Sequence, residues 1–296
     1  MDELLINERP ELRRPFVVAA FSGWNDAGEA ATSAIRFMLR RWRAEAFAEL
    51  DAEPFYDFTQ ARPRVRLDQG ERVIDWPSNK FTAHRLDRQD FDVILLQATE
   101  PHLSWRRYMD AVLELCKEFD VSTLITLGAL LAEVSHNRPV RVSGSSSDPE
   151  LRAMLDLPAA STSRYEGPTG IVGTLNQAAL AAGLRTVSLW ANVPVYLDAS
   201  PNPKGALALL EKLNGPLKLG LTLHDLEVFC ARFDAQVAAA VEKDPQMAEY
   251  ARRIAEHEES EEQEERSRLA TAEELPDAQT MVDELERYLR EQRGDH

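Results

Sequence analysis

The chain has 296 residues, 44% hydrophobic and 28% charged, a globular composition with room for one large domain or two ordinary ones. Its net charge of −16 excludes broad binding to nucleic-acid phosphates or to anionic membrane surfaces, both of which call for basic patches. The acidity is concentrated at one end: residues 242–296 carry 18 Asp and Glu against 8 Lys and Arg, leaving 32 against 26 in the first 241.

The opening Met1-Asp-Glu-Leu-Leu-Ile6 lacks the basic and then apolar pattern of a signal peptide. No run approaches the ~18 apolar residues of a membrane span, so the expected compartment is the cytoplasm. Phe16–Ser22 is an apolar run between Pro15 and Gly23 that predicts a strand buried on both faces. The loop Gly23-Trp24-Asn25-Asp26-Ala27-Gly28 follows, with Asp26 placed to cap a helix over Ala27–Trp42. Ala44–Leu50 reads as a second strand. Arg64–Leu67 and Arg72–Trp76 alternate around Gln69-Gly70 and predict a β-hairpin that leaves the main sheet. Asp92–Ala98 and Val121–Leu127 are further buried strands, separated by an amphipathic helix over Arg106–Phe119.

Val140 and Val142 suggest an edge strand, and Ser143–Ser147 a flexible surface loop. Asp148-Pro149 opens a short helix over Glu150–Leu155. A second glycine loop, Gly167-Pro-Thr-Gly-Ile-Val-Gly173, leads into a helix over Ile171–Ala182. A strand over Thr186–Ala191, a turn at Val193–Tyr196 and a helix over Lys204–Leu213 complete the body. Strands and helices alternate over residues 16–213, so the expected class is α/β with a mostly parallel sheet. Leu223–Arg268 is helical by composition, with its apolar stripe thinning beyond Asp244-Pro245 and 7 Glu in the ten residues Glu256–Glu265. Pro276 opens a last amphipathic helix carrying Met281, Leu285, Tyr288 and Leu289 on one face. The expected division is a core over residues 1–215 and an acidic helical appendage over 216–296.

Strand-to-glycine-turn-to-helix units are where open α/β sheets place their ligand crevices. The candidate binding residues are therefore Gly23, Trp24, Asn25 and Asp26 in the first loop, Gly128 at the end of the third buried strand, and Glu166, Gly167, Thr169 and Gly170 at the second loop. Each has a plainer reading: tight packing for the glycines, a helix cap for Asp26 or Thr169, a buried or interface position for Trp24. Asp26, Glu29 and Glu166 form an acid/base cluster only if the fold brings them together. Neither loop is a P-loop or a G-x-G-x-x-G fingerprint. No H-x-x-H, H-E-x-x-H or C-x-x-C pair is present, and no G-x-S-x-G elbow, so neither a metal nor a cofactor is expected. His136, just beyond a strand end, is the histidine best placed for function. Cys116 and Cys230 lie far apart in helix-like segments and read as buried thiols, with one disulfide as the alternative.

With Phe21-Ser-Gly-Trp-Asn-Asp-Ala-Gly28 and Gly167-Pro-Thr-Gly-Ile-Val-Gly173 in view, the chain resembles the PAC2 (proteasome assembly chaperone 2) family over roughly residues 15–240, and most of all its bacterial, actinobacterial-type branch. The resemblance implies a three-layer α/β/α fold related to nucleoside phosphorylases and hydrolases. It also implies self-association, with a trimer favoured, and proteasome subunits as a possible class of partner. The chain closes on Arg293-Gly-Asp-His296, unlike the tails through which archaeal relatives or actinobacterial activators dock, so any such contact is expected to use the body or the acidic helices. The functional expectation is a non-enzymatic protein-binding, assembly-chaperone-like oligomer. The alternative is a phosphorylase- or hydrolase-like enzyme, or a small-molecule sensor, using the crevice at the strand C-termini.

Overall fold

The run Phe16–Ser22 sends its side chains alternately into two cores, as a strand buried on both faces must: Phe16, Val18 and Ala20 enter one, and Val17, Ala19 and Phe21 the other. The computed structural model describes residues 3–158, 166–197 and 200–273. In chain order the strands are β1 (Leu4–Ile6), β2 (Phe16–Ser22), β3 (Ala46–Leu50), β4 (Arg64–Asp68), β5 (Glu71–Asp75), β6 (Asn79–His84), β7 (Val93–Thr99), β8 (Thr123–Ala132), β9 (Val142–Ser146) and β10 (Arg185–Pro194). The helices are α1 (Ala30–Trp42), α2 (Trp105–Glu118), α3 (Pro149–Met154), α4 (Ile171–Ala181), α5 (Pro203–Asn214), α6 (His224–Lys243) and α7 (Pro245–Glu273). A 3-10 turn, Ala27–Glu29, precedes α1.

Eight strands form one sheet in the order β1-β3-β6-β7-β2-β8-β10-β9. Helices α1 and α5 cover one face and α2 and α4 the other, giving the α/β sandwich expected. The expectation of a mostly parallel sheet is corrected. Four contiguous strands, β7-β2-β8-β10, are parallel, and every pairing outside them is antiparallel. The reason is connection length. A parallel neighbour needs a crossover of about a dozen residues or more, whereas the short link from β6 back to β7 permits only an antiparallel return.

The β4–β5 hairpin stands apart from this sheet, and its turn places both Gln69 and Gly70 at positive φ (49° and 91°), as a two-residue hairpin requires. Ser143–Ser146 is a strand rather than the flexible loop expected. Its backbone pairs antiparallel with β10, and Gly144 lies so close to Leu189 that a Cβ would come within 2.7 Å. Helix α1 begins three residues later than expected, because Gly28 takes φ 58° inside the 3-10 turn. The helical stretch after Leu223 is two helices. Asp244 breaks it and caps the second one, accepting from the backbone N–H groups of Gln246 (2.9 Å) and Met247 (3.2 Å).

Leu217, Leu219 and Leu221 belong to the core on the α1/α5 face, and Phe233 and Val237 of α6 bury against Leu197. Helix α7 is tied to the body by Glu258, which is buried and accepts from the backbone N–H of Ser135 at 3.0 Å. Cys116 is buried among α2 and its neighbours, and Cys230 separately in α6, both as free thiols. The helix expected after Pro276 lies outside the described residues. Among the described residues no helix is long and apolar enough to cross a membrane.

Candidate functional site

Strands β2 and β7 end side by side, and the chain leaves β2 through Gly23 at φ 127°, which favours glycine. The first glycine loop is fastened to β8 by a hydrogen bond from the Ala129 N–H to the Asn25 carbonyl at 2.8 Å. The Asn25 side chain turns inward and is only 2% exposed. Its Nδ2 donates to Glu100 Oε1 at 2.7 Å, and the same oxygen accepts from the Ile171 N–H at 2.9 Å, in the first turn of α4. One carboxylate thereby ties together the two glycine loops and caps a helix where its free N–H groups favour negative charge. Gly170 lies against this pin. In the second loop a Cβ at Gly173 would come 2.5 Å from Thr169 Oγ1, so that loop too is packed to glycine dimensions.

The two loops border an open cleft of about 950 Å³ at the carboxyl ends of the central strands. Gly23, Trp24, Asn25, Thr169 and Gly170 line it, so the structure brings five of the expected residues together. Much of the remaining wall is apolar and exposed: Leu130 and Leu131 from the end of β8, and Val195 just beyond β10. Trp24 is 67% exposed, an unusual state for the largest apolar side chain. Trp190 of β10 also lines the cleft, with its indole N–H donating to Ser188 Oγ at 2.9 Å.

The other candidates lie elsewhere. Gly128 is beneath the cleft, where its missing side chain makes room for the Trp190 indole; a Cβ there would meet the ring at 2.6 Å. Asp26 is buried at the start of α1, accepting from the Ala31 N–H at 2.7 Å, from the Thr32 N–H and from the Thr32 hydroxyl. Burial pushes its carboxyl up, against the opposing hydrogen bonds from Thr32 and Ala31. Glu166 and Gly167 are exposed and do not line the cleft. Glu29 pairs with Arg36 at 2.6 Å and accepts from Ser200 at 2.8 Å, whereas the hydrogen bonds to the Asp26 carboxylate come from Ala31 and Thr32. His136 is buried outside the cleft, its Nδ1 2.6 Å from Tyr196 Oη, and burial and then nearby Lys204 hold its pKa down. Among the described residues no cluster of three His, Cys, Asp or Glu could hold a metal ion.

A model of the PAC2 family matches residues 20–241, from the end of β2 through α6. The chain belongs to the PAC2 family. Two solved structures share its fold and much of its sequence. A PAC2 family protein from Streptomyces avermitilis is 42% identical, with a TM-score of 0.72 over 80% of this chain and 99% of that one. A proteasome-assembly chaperone homologue from Mycobacterium tuberculosis is 36% identical, with a TM-score of 0.70 over 79% and 99%. An archaeal proteasome activator from Pyrococcus furiosus, 18% identical, shares the fold at a TM-score of 0.67 over 81% and 99%. No curated protein matches the chain significantly.

Sequence reasoning overlooked Glu100, which holds this PAC2 site together, and Trp190, Leu130 and Leu131, which line it. The signal for Glu100 was a carboxylate directly after a buried strand and ahead of Pro101. For Leu130 and Leu131 it was an apolar run continuing past the glycine of β8.

Proposed function

We propose that this PAC2 protein acts without catalysis, as an assembly-chaperone-like protein that binds a partner protein through the cleft between its two glycine loops. The observation that carries this reading is the gathering of Trp24, Leu130, Leu131 and Val195, all exposed, around one cleft. Exposed apolar side chains scattered singly are ordinary, but a contiguous group marks an interaction surface. The carboxylates nearest the cleft are occupied structurally: Glu100 joins the loops and Asp26 caps α1. The names of a Mycobacterium tuberculosis relative, a proteasome-assembly chaperone homologue, and of the more distant archaeal proteasome activator support proteasome subunits as the partner class. The same reading takes the protein to be a cytoplasmic homo-oligomer, with a trimer favoured, and treats residues 216–296 as an acidic helical appendage to a core over 1–215.

Native mass spectrometry of the purified protein, alone and mixed with proteasome α-subunits of the same cell, tests this directly. A defined mixed complex supports the reading, and the mass of the protein alone gives its oligomeric state. Absence of any mixed complex at micromolar concentration overturns the α-subunit assignment. The volume of the cleft falls within the range of small-molecule sites, which favours the sensor or enzyme as second reading. A small molecule retained in the spectrum of the protein alone would carry it.

A further inference from the structure

A second cavity, of about 570 Å³, opens on the β7 side of β2. Ser22 and Thr99, the last residues of these two parallel strands, are register partners there. Helix α1, which follows β2, packs on one face of the sheet, and α2, which follows β7, packs on the other. Adjacent parallel strands whose connections leave in opposite directions part their loops and open a crevice, the place where open α/β sheets bind ligands. The β4–β5 excursion contributes the outer wall, through Arg64 and Trp76 at its two ends.

The charge of this crevice is opposite to that of the chain. Arg36, Arg62 and Arg64 line it, on a protein of net charge −16. Arg36 is paired with Glu29, and Asp75, also in the lining, shares Arg66 (3.0 Å) with Asp68 (2.8 Å). Among the described residues Arg62 and Arg64 form no close ion pair, although Arg64 stands in register with Asp75 across the hairpin, so the lining carries more guanidinium than carboxylate charge. The field of Arg64 reaches inward: the Glu29 carboxyl is held below its ordinary range by Arg36 first, then by Ser200, with a further pull from Arg64. Ser22 Oγ and Thr99 Oγ1 are hydrogen-bonded at 3.2 Å, and since a hydroxyl pair needs only one of its protons for that bond, the other can be donated to a ligand. Trp76 is 54% exposed, and its ring is set edge-on to Phe58 at 4.9 Å, offering a flat apolar surface beside the guanidiniums.

We propose that this crevice binds a phosphate monoester carried on a planar ring, the chemistry of a nucleoside monophosphate. Arg62 and Arg64 take the phosphate, the Ser22–Thr99 hydroxyl pair donates to it, and Trp76 stacks on the ring. Two guanidinium forks from separate residues suit the three terminal oxygens of a phosphate better than the two of a carboxylate. The assignment is independent of protein docking at the first cleft.

Isothermal titration of the full chain with AMP tests it, with adenosine and inorganic phosphate as controls. The expected result is saturable AMP binding with Kd below about 1 mM, and adenosine and phosphate each weaker by about tenfold or more. Arg62→Ala with Arg64→Ala should weaken AMP by about tenfold or more, and Trp76→Ala by several-fold. All three side chains are exposed, so the double arginine variant should keep its melting temperature, while Trp76→Ala, which gives up the ring contact with Phe58, is titrated well below its own measured melt so that lost binding is not unfolding. Absence of saturable AMP binding overturns the site, as does unaltered affinity in the double arginine variant. Equal affinity for adenosine overturns the phosphate assignment, and an unaffected Trp76→Ala variant overturns the ring assignment.

Discussion

Gly170 presents its Cα directly to the carboxamide of Asn25: a Cβ added at position 170 would lie 2.2 Å from Asn25 Nδ2. The two glycine loops therefore fit each other only because one of them lacks a side chain at this point. Gly170→Ala forces Asn25 out of its buried rotamer or drives the loops apart, and is expected to cost about 1–3 kcal/mol. Urea unfolding measures the loss. Adding Asn25→Ala should recover part of it, since the two residues are in contact and their effects are coupled. Simple additivity of the two variants would show that the clash is absorbed elsewhere.

Glu100 should prove more important for stability than a partly exposed carboxylate usually is. Glu100→Ala removes the acceptor of both the Asn25 side chain and the Ile171 N–H, an expected loss of about 1–3 kcal/mol. Glu100→Gln keeps a carbonyl oxygen in the same place and should lose less. A Glu100→Ala protein with an unchanged urea midpoint would remove Glu100 from the role given to it here.

Asp92 predicts a pH dependence. Its carboxylate is buried, a cost that by itself raises its pKa. Hydrogen bonds from the Arg13 guanidinium, the Arg13 N–H and the Leu86 N–H outweigh that cost and hold the pKa below the ordinary value. A carboxyl depressed in the folded state binds its proton more readily when unfolded. Its stabilisation is therefore present above the ordinary carboxylate pKa and is lost as pH falls towards the folded value. Asp92→Asn should be less stable than the parent at neutral pH, and the gap should narrow as the pH falls through the ordinary carboxylate range. Thermal melts across that range provide the check; a gap that does not change with pH would count against the assignment.

Trp24 and Leu131 should separate binding from folding. Both are exposed, so Trp24→Ala and Leu131→Asp should leave stability within about 0.5 kcal/mol. If the cleft is the docking surface, each should weaken the complex with the partner protein by about 2 kcal/mol or more, roughly thirtyfold. Surface-immobilised binding assays read this directly, and wild-type affinity in both variants would move the interface away from the cleft.

Much of the strand core was legible because its signals are short-ranged. Phe16–Ser22, Val93–Thr99 and the first part of Thr123–Ala132 are buried apolar runs, and the Gln69-Gly70 turn announces its hairpin within two residues. Strand β6 was not legible. Asn79-Lys-Phe-Thr-Ala-His84 lacks a clean alternation, and it becomes a strand because β3 and β7 flank it on both sides. Likewise the serines of β9 look like a loop until β10 supplies their backbone partners. Propensity yields in both places to pairing.

The sequence by itself determined the α/β class, the family, and the two glycine loops that border the cleft, since each depends on residues that are neighbours in the chain. Only the tertiary structure decided how those loops meet. Glu100 accepts from Asn25, 75 positions before it, and from Ile171, 71 positions after it, and no local pattern encodes a contact over that span. Tertiary structure also separated Asp26 and Gly128, which turn inward to cap a helix and seat an indole, from Trp24, which turns outward. The physical reason is that a loop's backbone conformation is set by its own residues, whereas the burial and partners of its side chains are set by what the rest of the fold brings against them.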